Sequence, residues 1–374
     1  MNITTPRIFV AATEQNVGKT TTSLGLYGLL RKRFNSLGFI KPVGQRFTEV
    51  EGKRVDEDSV LIHDTFDTQI PIEDMSPIAV EPDFTRRYIE TSNSEQLVRR
   101  IRHSFDRACW QKDFAIIEGT GHAGVGSVFD LSNARVARLL HSKVLLVVPG
   151  GIGRPIDEAA VNKALFDIEG VDVIGVVMNK VVPSKFDYIS DFARRGFERL
   201  GLELVGVMPQ ERILSEPTLR DICTVIRGEV LSSADLLRSR ASNVMIGAMQ
   251  PANVLDRLEP RTLLVVPGDR EDIILAAISY VQAPEHASEE GLVAVVLSES
   301  LRPTGAVARL VASAPLPIIA SPMDSYTIAS RIHSMTVKTL PEDSEKIERI
   351  QSLVSEHVNV DRILEKIGVS AAGE

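Results

Sequence analysis

FVAATEQNVGKTTTSLGL, residues 9 to 26, decides the architecture. Its first part, from Ile8 to Ala12, is an apolar run of strand length. A polar loop follows and closes on Gly18-Lys19-Thr20, and Lys19 to Phe34 carries a helical pattern. Strand, loop and helix in that order make an anion site. The free N–H groups of the helix N-terminus point at phosphate oxygens, and the helix dipole favours negative charge. Gly18 lets the backbone approach closely. Lys19 would reach the β- and γ-phosphates, and the Thr20 hydroxyl would ligate magnesium. The pattern GxxxxGK[ST] would begin with glycine, but Thr13 stands there. The alternative is a chance GKT at a helix start, and the flanking elements argue against it. The expected phosphate-binding set is Thr13, Asn16, Val17, Gly18, Lys19, Thr20 and Thr21.

Outward from this loop, short apolar runs alternate with amphipathic stretches. Strands are expected at Phe39 to Val43, Phe114 to Ile117, Val144 to Val148, Val173 to Met178 and Leu204 to Val207. Helices are expected at Ser94 to Ala108, Asn133 to Leu140, Asp157 to Phe166 and Phe186 to Leu200. Continuously apolar strands between helices imply a parallel sheet with helices on both faces. Pro209 and Pro217 then bracket QERILSE, which reads as a connection. A second, smaller α/β pattern follows, with strands at Leu263 to Val266 and Leu292 to Leu297 and a third near Ile318. The charged tail from Asp343 to Ile367 is expected to be helical. The domains are therefore expected at 1–215 and 216–374, the tail belonging to the second.

The chain has 374 residues, a formal charge of −8 and two cysteines, Cys109 and Cys223. Net acidity argues against an extended nucleic-acid surface. Two cysteines build no disulfide scaffold, and no CxxC pair offers a zinc site. Neither a secretory leader nor a membrane-spanning run is evident, so a cytoplasmic protein is expected. Histidines 63, 103, 141, 286, 333 and 357 show no metal-ligand spacing.

TEQNVGKT, Lys41-Pro42-Val43 closing the second strand, Glu118-Gly119-Thr120-Gly121 and Asn179 together resemble dethiobiotin synthetase. A broader resemblance covers nearly the whole chain. EGTGHAGVGSVFDLSNARVARLL, SEPTLRDI and VVPGDREDIILAAI resemble the N-terminal region of long phosphotransacetylases, where a dethiobiotin-synthetase-like domain precedes a DRTGG domain. The acetyltransferase domain of that family is expected to be absent, and acetyl transfer is not carried over.

The resemblance implies ATP and Mg2+ as ligands, an adenine contact from Asn179, and ATP-dependent activation of a carboxylate or carbamate. Glu118 and Glu14 are candidate magnesium ligands beside Thr20, since magnesium favours a few carboxylates plus phosphate oxygens. The alternative for each is a solvated carboxylate. Lys41 is a candidate to neutralise phosphate or a substrate carboxylate, or else a surface lysine. His122 replaces the family's residue in GTGHAGVG; it is a candidate acid or base, or a loop histidine. Lys19, Lys41 and His122 form the candidate catalytic set. Arg86 and Arg87 are candidates to clamp an anion, or else two solvated neighbours, and Gly268-Asp269-Arg270 reads as an anion site or a turn. Two functions follow: a nucleotide-binding regulatory protein with slow hydrolysis, or an ATP-dependent ligase. The expected partners are nucleotide, a small carboxylate or other anion, and further copies of the chain, with no nucleic acid and no membrane.

Overall fold

The computed structural model describes residues 2–284 and 291–369. Residues Met1–Glu211 and Thr339–Glu374 form one unit, and Arg212–Lys338 the other. His286 lies outside the described residues.

The first unit is built on six strands: β1 (Arg7–Ala12), β2 (Leu37–Ile40), β3 (Phe114–Glu118), β4 (Lys143–Pro149), β5 (Val173–Val181) and β6 (Leu204–Pro209). They pair in the order β6-β5-β4-β1-β3-β2, and every pairing is parallel. Every residue of β1 and β3 is buried. That follows from their unbroken apolar sequence, which can only be satisfied by helices over the sheet. Phe9, Phe39, Phe105, Phe114, Phe166 and Phe197 are the largest apolar side chains closed off from solvent.

The register positions the site. Val10 of β1 lies opposite Glu118 of β3, Ala12 opposite Val147 of β4, and Ile40 of β2 opposite Ile117. The segments leaving β1, β2, β3 and β4 therefore emerge along one edge of the sheet. Between β1 and β4 the strand order reverses direction, which is where open α/β sheets bind ligands.

Helix α1 (Lys19–Leu30) follows β1. The expected strand from Phe39 to Val43 is shorter: pairing with β3 stops at Ile40, and Val43 pairs instead with Ile78. A hairpin of Phe47–Val50 and Lys53–Asp56 then leads into helix α2 (Glu57–Phe66). Helix α3 (Arg154–Ile168) follows β4. The segment read as a connection holds a short helix, Arg212–Ser215.

The tail corrects an expectation. Helices α4 (Ser344–His357) and α5 (Val360–Ile367) pack on the first unit, not the second. Gly25 and Gly28 of α1 explain why. A Cβ at Gly25 would lie 2.3 Å from Val354, and one at Gly28 would lie 2.7 Å from Gln351, so the two glycines admit α4 onto α1. Val358 bridges Gly206 on β6, and the Asn359 amide donates to Val205 O at 2.8 Å. Arg362 grips Glu203 at 2.9 and 3.1 Å, and Lys366 reaches the same carboxylate at 2.6 Å. These contacts cover an otherwise open sheet edge, which soluble folds avoid leaving bare.

The second unit has strands β7 (Glu229–Ser232), β8 (Asn243–Ile246), β9 (Thr262–Pro267), β10 (Leu292–Ser298) and β11 (Ile318–Ala320), in the order β7-β11-β10-β9-β8. Only β7 is antiparallel to its neighbour among the described strands of this sheet. Leu264 and Val266 face one apolar cluster and Leu263 and Val265 another. Both faces of this sheet are therefore covered, as period-two side-chain alternation requires.

Candidate functional site

The loop between β1 and α1 turns on Gly18, whose φ of 114° and ψ of 32° suit glycine. A Cβ there would also fall 2.0 Å from Asn179 Nδ2, so only glycine fits. Asn179, at the end of β5, donates from Nδ2 to Val17 O at 2.8 Å, and its Oδ1 accepts the Lys180 amide at 2.8 Å. Lys180 donates from Nζ to Asn16 O at 2.6 Å, and Asn16 adopts a φ of 59°. Asn179 is thus engaged with the phosphate loop itself. The Thr13 amide donates to Val147 O at 3.1 Å, and its hydroxyl is buried with no hydrogen-bond partner among the described residues. Val17 is buried, while Thr21 lies half-buried on the first turn of α1.

Lys19 folds back over this loop. Its Nζ donates to Glu14 O at 3.3 Å, and the side chain is almost fully buried. Burial lowers its pKa to about 8, against the attraction of Glu118 and with the repulsion of Lys41. One turn of α1 thus presents the Lys19 ammonium, the Thr20 hydroxyl and free helix N–H groups at one place.

Thr20 Oγ1 donates to Glu118 Oε1 at 3.1 Å. Glu118 ends β3 with no solvent exposure, and burial pushes its pKa up to about 7 despite the pull of Lys41. Its Oε2 makes no hydrogen bond of acceptable geometry among the described residues, although the Ser23 hydroxyl stands near enough to favour the charged form.

Lys41, the residue after β2, is also buried. Its Nζ lies 3.0 Å from Asp56 Oδ1 and 3.4 Å from Glu118 Oε1, and it bonds Asp58 Oδ2. Burial opposes its charge, but Asp58, Asp56 and Glu118 hold its pKa well above the ordinary lysine value. Asp56 caps α2, its Oδ1 accepting the Asp58 amide at 3.0 Å, and burial raises its pKa against the attraction of Lys41. Burial also works against the charged form of Asp58, yet Lys41 brings its pKa below normal. Sequence reasoning missed both aspartates. The available signal was Asp56-Glu57-Asp58 at a helix start, where an aspartate N-cap is favoured.

Two ammoniums, Lys19 and Lys41, therefore face three buried or largely buried carboxylates. The clustered carboxylate oxygens, with Glu118 Oε2 left without a hydrogen bond, and the Thr20 hydroxyl suit a hard cation that keeps phosphate oxygens as its other ligands. No three His, Cys, Asp or Glu side chains among the described residues form a ready-made metal cage. Glu14, expected beside Thr20 and Glu118, directs its carboxylate elsewhere: Oε2 lies 2.8 Å from Arg154 Nη2.

His122 is exposed, and its Nδ1 accepts the Gly124 amide at 3.2 Å. The loop around it is held by Asn133, whose Nδ2 donates to Thr120 O and His122 O at 2.7 Å each and whose Oδ1 accepts the Thr120 amide. The ring thus bonds its own turn, not the Lys41 cluster. Arg86 and Arg87 are exposed and pair with Asp83 and Glu81. In the second unit a Cβ at Gly268 would strike Leu301 O at 1.8 Å, and Arg270 pairs with Asp272 at 2.9 Å. Those contacts account for this glycine and arginine as turn-forming residues. Among the described residues, no helix is long and apolar enough to cross a membrane.

The chain is 27% identical over 379 residues to a phosphate acetyltransferase of Pseudomonas aeruginosa, covering 96% of this chain and 52% of that protein. It is 25% identical over 373 residues to the Synechocystis phosphate acetyltransferase, covering 96% of this chain and 51% of that one. The chain thus spans about half the length of the curated relatives it matches. Among solved structures, the MinD cell division protein of Aquifex aeolicus covers 56% of this chain and 84% of its own, at 17% identity and a TM-score of 0.34. Residues 221–335 match the DRTGG domain. Residues 6–218 match the family AAA_26, described as an AAA domain, over more than half of the chain. With its phosphate loop on a parallel sheet, the chain belongs to the AAA_26 family and carries a DRTGG domain after it.

Proposed function

We propose that the first unit binds ATP with Mg2+ and that the chain is a nucleotide-responsive regulatory region with at most slow hydrolysis. The observation that carries nucleotide binding is the loop closed by Lys19. A buried lysine arched over free helix N–H groups, beside Thr20 and Glu118, is an anion site built before its ligand arrives. Gly18, Lys19, Thr20 and the main chain of Asn16 and Val17 would hold the phosphates. Thr20 and Glu118, with Asp58 beside both, would hold magnesium, which would neutralise phosphate charge. Asn179 positions the loop through Val17 in addition to any contact with the base.

The regulatory reading rests on Lys41. Its ammonium is matched by Asp56, Asp58 and Glu118, which leaves little attraction for an anionic second substrate. The family resemblance points the same way, because this region accompanies another catalytic domain in long phosphotransacetylases. A ligase reading, in which ATP activates a carboxylate or carbamate, is favoured by one fact: Lys19, Lys41, Thr20 and Glu118 converge, and a scaffold would not need all four.

Phosphate release from MgATP, measured across a panel of small carboxylates and amines, tests the choice. The regulatory reading predicts slow release with every compound. A compound raising the rate a hundredfold, about 2.7 kcal/mol of barrier, would establish the ligase reading instead.

A further inference from the structure

The rim of the phosphate loop carries an arginine outside the set that would hold the phosphates. Arg154 opens α3, directly after the run Gly150-Gly151-Ile152-Gly153 that leaves β4. Strand β4 is the neighbour of β1, so this turn adjoins the phosphate loop. The guanidinium bridges two carboxylates: Nη2 lies 2.8 Å from Glu14 Oε2, and Nε lies 2.5 Å from Glu158 Oε1. Glu14 is itself a loop residue, and its main-chain oxygen is the acceptor for Lys19 Nζ at 3.3 Å. One residue is thus held at both ends, by Arg154 through its side chain and by Lys19 through its backbone.

A carboxylate on the rim of a phosphate site is unfavourable for a polyanionic ligand. Like charges repel most where water is partly excluded. The pairing with Arg154 offsets that charge and turns the Glu14 side chain toward α3. Arg154 is mostly exposed, and an exposed ion pair contributes little to fold stability. The Glu158 pairing is the ordinary i,i+4 pair of the helix, whereas the Glu14 pairing, which reaches across to the phosphate loop, has little reason in fold stability alone.

The geometry points to Arg154 as a positioning residue for nucleotide: it neutralises and holds Glu14, so that the loop accepts the most highly charged nucleotide. This rests on the phosphate-loop reading and adds a selectivity to it. The preference for ATP over ADP and AMP comes partly from outside the loop, through the Glu14–Arg154 pair.

The test is nucleotide affinity by calorimetry on the full chain, for ATP, ADP and AMP with Mg2+, in Arg154→Gln, Arg154→Lys, Glu14→Gln and the double variant Glu14→Gln/Arg154→Gln. Arg154→Gln is expected to raise the ATP dissociation constant about three- to tenfold, the ADP constant less, and the AMP constant least. Arg154→Lys should retain most of the affinity, because the charge remains. The double variant should recover it, because the unpaired carboxylate is gone. Raising salt to about 1 M, where the Debye length is about 3 Å, should shrink the difference. A purely structural role would lower the melting temperature and weaken all three nucleotides alike, without rescue. That outcome, or unchanged affinity in Arg154→Gln, overturns the inference alone. Weaker MgATP binding in Glu14→Gln by itself also overturns it, by making Glu14 a cation ligand. Failure of the unsubstituted chain to bind any nucleotide overturns the phosphate-loop reading and this inference with it.

Discussion

Asn179 fills the space that a side chain on Gly18 would need: a Cβ there would lie 2.0 Å from Asn179 Nδ2. The end of β5 and the phosphate loop are therefore mutually fitted, and the Asn179–Val17 hydrogen bond fixes the fit at 2.8 Å.

Gly18→Ala should break that fit. The substitution forces a positive φ of 114° on a residue with a Cβ and pushes it into Asn179. Strain of this kind costs about 1–3 kcal/mol. Urea unfolding should show the loss, and nucleotide should no longer stabilise the variant. Adding Asn179→Ala removes the clash but not the φ strain, so it should restore only part of the stability.

Lys41→Met should be among the more destabilising single changes in the first unit. It keeps the volume and removes the charge, leaving Asp56, Asp58 and Glu118 facing one another. Breaking a buried pair by removing one partner costs about 3–5 kcal/mol. Because the penalty is carboxylate repulsion, unfolding experiments at lower pH should show a smaller loss. An equal loss at pH 5 and pH 8 would mean that the carboxylates are not the cause.

The Glu118 carboxyl has a definite pH signature. Its folded pKa of about 7 lies above the ordinary value of 4.5, because burial disfavours the charged form. Between those values the folded chain binds more protons than the unfolded one. This group's contribution to stability is therefore full below pH 4.5 and is lost as pH rises toward 7. Glu118→Gln should flatten that part of the profile in melting experiments without nucleotide. A difference curve with no slope over that interval would show that Glu118 is charged throughout.

Leu353→Ala tests the role of the tail. Leu353 is fully buried in α4, which lies on α1. Truncating a buried leucine costs about 2–5 kcal/mol. The loss should appear in the first unit, where cleavage resistance of residues near α1 and β6 should fall. An unchanged first unit would mean that α4 is dispensable there.

The legible parts were those where chemistry and local pattern coincide. Gly18, Lys19 and Thr20 sit at a strand-to-helix junction that periodicity alone reveals, and Glu118 and Lys41 follow apolar runs. Asp56 and Asp58 were hidden because they reach Lys41 through a short polar hairpin, Phe47–Asp56, with no periodic signature. Arg154 was hidden because the glycine run after β4 reads as a plain turn. Its partner Glu14 is 140 residues away in sequence. Adjacency in sequence places the tail with the second domain. Its true seam depends on Gly25 and Gly28, which inside a helical pattern look like weak positions and in the fold are the close approach that seats Val354 and Gln351.

The most direct test of the central claim is thermal unfolding of the full chain with and without MgATP, alongside Lys19→Ala. At 100 times its dissociation constant, a ligand that binds only the folded state adds about 2.7 kcal/mol. In a unit of this size that corresponds to roughly a 5–10 °C rise in melting temperature. That rise is expected in the unsubstituted chain and none in Lys19→Ala, with the two melting alike when no nucleotide is present. The same rise in both proteins, or none in either, would contradict a nucleotide held by the Gly18-Lys19-Thr20 loop.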